Sequence, residues 1–182
     1  MTEATMIRNH AMLSPTTRIL AFAIVIAALT RLLPHPPNFS PVMALALFSG
    51  AALRDWRLAL LVPLAAMLMA DLWLGFHATM VFVYLGMALT VGAGRRLGAR
   101  RRPLLLLAAG MAGASLFFLV SNAGVWLTQD IYPATGAGLA ACYLAALPFF
   151  HQTVLATLVY GALLFGMEHW LAVRSDRHRA LV

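Results

Sequence analysis

The chain is a succession of apolar runs, each too long for a loop, with a short cluster of arginines after every second one. That pattern constrains the fold more than any other feature of the sequence. Runs over residues 19–33, 39–53, 58–74, 78–93, 103–120 and 154–173 contain almost no charge. Of the 182 residues 62% are hydrophobic and only 10% are charged. A soluble chain is about half apolar and about a quarter charged, so an ordinary soluble domain is excluded. The runs are continuous and do not alternate, which excludes a membrane barrel. At about 20 residues per span, the arithmetic predicts an all-α membrane protein, a bundle of six transmembrane helices over 18–173 with no room for a soluble domain.

All 13 basic residues are arginine, for a net charge of +7. The arginines stand in clusters between apolar runs, so they read as topology signals and the basic balance implies no nucleic-acid partner. With both ends inside, Arg8, Arg18, Arg54, Arg57, Arg95, Arg96, Arg100, Arg101, Arg102, Arg174, Arg177 and Arg179 all fall on the cytoplasmic side, and only Arg31 falls outside. The first run has the length of a secretory signal, yet Arg31 stands where a small-residue cleavage site would be, which predicts a retained anchor. Residues 1–17 read as a cytoplasmic tail and 174–182 as a second, basic one. The single cysteine, Cys142, has no partner for an internal disulfide.

Residues 34–38 break the chain after the first run through His35-Pro36-Pro37-Asn38. The second run, 39–53, is short for a span. Residues 121–152 mix apolar side chains with Asn122, Trp126, Asp130, Tyr132 and Tyr143 and are punctuated by Pro133, Gly136, Gly138 and Pro148. This predicts an outer cap, with a short surface or re-entrant helix over 139–147 before the last span.

On this topology the outer ends of the helices collect His35, Asn38, Asp71, His77, Tyr84, Asn122, Trp126, Tyr132, Tyr143 and His151. Ionisable and polar groups at membrane depth cost about 2.5 to 3.5 kcal/mol each, so they tend to face a cavity or the protein interior. Their convergence predicts a small-molecule binding pocket open to the outside. Each residue also has a plainer role: Asp71 as a partner for Arg31, the aromatics as an interfacial belt, His151 as a packing residue, Asn122 as an amide that needs any partner at all. Ala23 and Ala27 form a small-xxx-small pair on the first helix, suited to packing within the bundle or to contact with a partner membrane protein. No P-loop, GxSxG, HExxH or dinucleotide fingerprint is present. No cofactor or metal is expected, because a metal needs three or four convergent ligands. A metal-dependent membrane enzyme using His35, Asp71 and His77, and a structural or assembly protein, are the alternative classes.

The stretches RLLPHPPNFSPVMALALFSGA at 31–51, SNAGVWL at 121–127, YPATGAGLAACYLAALPFF at 132–150 and YGALLFG at 160–166 resemble a bacterial family of small proteins ascribed to membrane transport. That family is similar in turn to the substrate-binding S components of energy-coupling factor (ECF) transporters. The resemblance implies a six-helix subunit of the inner membrane that captures a vitamin-like micronutrient from outside, with residues 35–40 and 121–152 closing over it. It also implies that Ala23 and Ala27 dock a transmembrane coupling protein that works with two ATPases.

Overall fold

Residues 42–50 are apolar or small on every face, and a helix apolar all round has to be buried all round. In the computed structural model this is what the second run does. The structure describes residues 15–34, 36–98 and 100–180, with the side chains of 15, 16, 18 and 175–180 left aside. Among these residues the chain is all helical: α1 Pro15–Leu32, α2 Val42–Ala52, α3 Trp56–Leu74, α4 Met80–Leu97, α5 Pro103–Thr128 and α6 Gly136–Ala180. The helix α2 packs against all five others, and every residue from Val42 to Gly50 is buried. Its 11 residues measure about 16 Å, roughly half the hydrocarbon thickness. The second run is therefore the core of the bundle, and its helix alone is shorter than a full span.

Four helices, α3 to α6, are long and apolar enough to cross a membrane, which is consistent with an integral membrane protein. Two expected boundaries move. The last helix is continuous over 45 residues, with Pro148 inside it, so there is no separate helix over 139–147, and the helix runs on into the basic residues after 173. The glycines that looked like breakers stand at its start: Thr135 accepts from the Gly138 amide at 3.1 Å, an N-cap bond, and Gly138 lies so close to the Pro133 carbonyl that a Cβ would meet its oxygen at 2.0 Å. Upstream, α5 runs on to Thr128 because its polar residues are satisfied within it. Ser121, Asn122 and Thr128 each donate to a carbonyl four residues back, at 2.7, 2.8 and 2.8 Å. What remains of the expected cap is the short connection 129–135. The start of α1 at Pro15 also takes in the end of the expected amino-terminal tail, whose first 14 residues lie outside the described ones.

Close approach of backbones fixes the centre. At the crossing of α2 and α4, a Cβ on Gly50 would lie 2.2 Å from the Val91 carbonyl oxygen, and one on Gly94 would lie 2.1 Å from that of Leu47. Ser49 adds a polar tie from α2 to α3, its hydroxyl 2.8 Å from the Ala59 carbonyl. The two ends of the bundle differ. At one end Arg95 reaches the carbonyls of Leu53 and Arg54. Arg101 there donates to the carbonyls of Ala51 and Gly98 and to the Glu168 carboxylate, with its guanidinium over the Phe165 ring.

The crossing makes a direct prediction. Gly94→Ala should lower stability by about 2 kcal/mol or more, as overpacking against immobile backbone does. Gly92→Ala, where an added Cβ meets nothing within 4 Å, should be neutral or stabilising by up to about 1 kcal/mol. Thermal unfolding in detergent, followed by tryptophan fluorescence, checks the pair; equal midpoints would refute the crossing.

Candidate functional site

The opposite end of the bundle holds the most deeply buried charge among the described residues. Asp71, in the last turn of α3, is 1% exposed. An isolated carboxylate in such surroundings is costly enough to demand partners, and two other helices supply them. Tyr84, one turn into α4, donates its hydroxyl to Oδ2 at 2.9 Å. Arg31, in the last turn of α1, places Nη2 3.5 Å from Oδ1. Three helices thus meet on one carboxylate. Arg31 is incompletely satisfied, since its Nε is buried and finds no acceptor among the described residues.

Beside this triad is a cavity of about 60 Å³, lined by Arg31, Asn38, Ser40, Met43, Met67, Met87 and neighbouring apolar side chains. It has room for a few waters and is far smaller than the roughly 300 Å³ or more of a drug-sized ligand site. Asn38 stands on its wall with φ of 62°, a left-handed conformation that asparagine tolerates better than most residues. It lies in the connection between α1 and α2, so the cavity wall on that side is loop and not helix.

The ten residues expected to converge divide into groups. Asp71 and Tyr84 come together with Arg31, and Asn38 shares the wall of the cavity with Arg31. Asn122, Trp126 and Tyr143 instead brace the join between α5 and α6: Trp126 Nε1 donates to the Pro133 carbonyl at 2.9 Å, Tyr143 donates to the Leu119 carbonyl at 2.7 Å, and the Asn122 amide is used inside α5. Phe118 packs on both Tyr143 and Phe150. His77 is exposed and shares a 2.8 Å hydrogen bond with Thr79 in the turn before α4. Tyr132 and His151 make no hydrogen bond, ion pair or ring contact with the described residues. His35 lies outside the described residues. The expected single pocket is therefore two separate arrangements, one built around a charge and one a brace.

Ser40 and the three methionines were not singled out from the sequence. Ser40 follows Asn38 by two residues, a signal that was available. The methionines read as ordinary core. On α1, Ala27 is fully buried in the chain's own core, while Ala23 packs against that core and stays partly exposed. Among the described residues no three His, Cys, Asp or Glu side chains come together as a metal site needs.

Breaking the triad should be costly because it strands a buried charge. Asp71→Leu is expected to lower stability by about 2 kcal/mol, less than for a fully buried pair because a quarter of the Arg31 side chain is uncovered. The double change Arg31→Met with Asp71→Leu should recover most of the loss. A double-mutant cycle on unfolding midpoints decides; additive losses would mean that the two side chains are not coupled.

Comparison with known proteins adds one affiliation. No curated protein and no solved structure matches the chain. A family model does match, over residues 12–180 and so over nearly the whole chain. By that match the chain belongs to the family of unknown function DUF6580.

Proposed function

We propose that the chain is an integral membrane protein that captures a small solute of micronutrient size at the Arg31–Asp71–Tyr84 end of the bundle and passes it across the membrane. The observation that carries this reading is the buried Asp71 carboxylate, held by two other helices and standing beside a cavity whose wall is partly loop. Ionisable groups among membrane helices are expensive and mark solute or ion pathways. The positive-inside rule then places the arginine-rich end in the cytoplasm and the cavity on the outer face, with both termini inside, as in an inner-membrane protein of a bacterium. Admission of a solute needs the 33–41 connection to move away from the cavity, since the closed arrangement holds only water-sized guests.

No nucleotide-binding motif is present in the sequence, so the energy comes from elsewhere. The resemblance to S components supports a coupling protein and its ATPases as that source. Ala27 is buried in the chain's own core and Ala23 is partly exposed, so of the two it is Ala23 that such a partner could meet.

Mass spectrometry of small molecules released from the purified protein is the test. A stoichiometric solute is expected from the wild-type chain. It should be lost from Arg31→Gln and Asp71→Asn, the second of which keeps an acceptor for Tyr84, and retained by Trp126→Phe in the brace. A chain that carries no solute, or variants that all retain it, would refute the reading; a stoichiometric transition metal would favour an enzyme instead.

A further inference from the structure

At the arginine-rich end an apolar groove of about 200 Å³ lies between α5 and α6 and reaches down to Leu47 of the central helix. Its walls are Leu106, Leu158 and Phe165, and its slim positions are Gly110 and Gly161. A Cβ on Gly161 would meet nothing within 4 Å, so this glycine leaves open space and not a backbone contact. Pro103 lines the upper end of the groove and also lines a second, basic hollow together with Arg100, Arg101 and Arg102. Arg101 is committed to Glu168 and to two carbonyls. Arg100 and Arg102 are exposed, and their side chains have no ion pair or hydrogen bond among the described residues. The mouth of an apolar groove in a membrane-spanning bundle is thus framed by two unpaired positive charges.

We propose that this continuous feature is a seat for one anionic phospholipid, with its phosphate between Arg100 and Arg102 and an acyl chain lying in the groove past Gly161. Charge complementarity selects the head, since arginines at the membrane boundary attract anionic lipid and the guanidinium fork matches phosphate oxygens. The apolar groove selects the tail. A soluble phosphate would use the arginines alone, and a zwitterionic lipid the groove alone. Only an anionic lipid uses both halves, which are joined at Pro103. The site is independent of the solute cavity at the other end of the bundle.

Native mass spectrometry on delipidated protein in detergent, titrated separately with phosphatidylglycerol, phosphatidylcholine of the same chains and glycerol phosphate, tests the proposal. One phosphatidylglycerol should bind in clear preference to the other two. The double variant Arg100→Gln with Arg102→Gln should weaken it by about 30-fold. Gly161→Leu, which fills the groove where space is open, should weaken it by about tenfold with the unfolding midpoint little changed; Ala162→Leu serves if that variant does not fold. Equal binding of the two lipids, binding of glycerol phosphate as tight as that of the lipid, or full binding by the groove-filled variant would each overturn the proposal.

Discussion

Backbone carbonyls at the end of a helix have no partner within that helix, and in an apolar bundle there is no water to supply one. The rest of the structure is arranged around that need at the end of α2. Because α2 is short, its last carbonyls open at the arginine-rich end of the bundle, where residues 51–53 are half-buried and Arg54 is exposed. Arg95 reaches the carbonyls of Leu53 and Arg54, and Arg101 that of Ala51. In doing so Arg101 also binds the end of α4 through Gly98 and α6 through Glu168. One side chain thereby ties three helices to the end of the fourth. The arginine cluster that reads as a topology signal in the sequence is also the cap of the core helix.

The same constraint sorts the polar residues of the long helices. Thr90, Ser121, Asn122, Thr128, Thr153 and Thr157 all donate to the carbonyl four residues back in their own helix. Such local bonds let a hydroxyl or amide lie in a membrane helix without a tertiary partner, so these residues need no function to explain them. A carboxylate has no such local solution, because it can only accept. Asp71 must therefore draw donors from other helices, and it does so from α1 and α4. This is why Asp71 is informative where Asn122, the amide that looked harder to explain from sequence, is not.

Much of the fold follows from local properties and was legible for that reason. The all-helical class, the positions of α3 and α4, and the pairing of Asp71 with Arg31 all come from apolar run length, turn residues and the alternation of chain direction. What escaped depends on tertiary packing. That residues 42–50 form a core buried on every face rests on five helices closing around them. That Pro148 is carried within α6, and that Ser121 and Asn122 stay within α5, rests on hydrogen bonds that composition does not display. Gly136 and Gly138 signal a helix start as readily as a break, and Thr135 two residues before Ala137 decides for the start only once its bond to Gly138 is seen. The one expected pocket became two because the sequence orders residues along the membrane normal but says nothing of their position around the bundle.

The bundle contains two arginine–carboxylate pairs at its opposite ends, and their degree of saturation separates them. Arg101 directs Nε, Nη1 and Nη2 to three different acceptors, with its carbon face on Phe165, which leaves little for a ligand to gain. Its partner Glu168 is also partly uncovered, at 23%, so the pair is screened on one side. Arg31 makes one long contact to Asp71 and keeps a buried Nε–H without an acceptor. An unmet donor of that kind costs about 1 to 3 kcal/mol. The two pairs are alike in sequence chemistry but opposite in consequence: one closes the structure around its core helix, and the other keeps a buried donor unmet on a residue that lines the cavity.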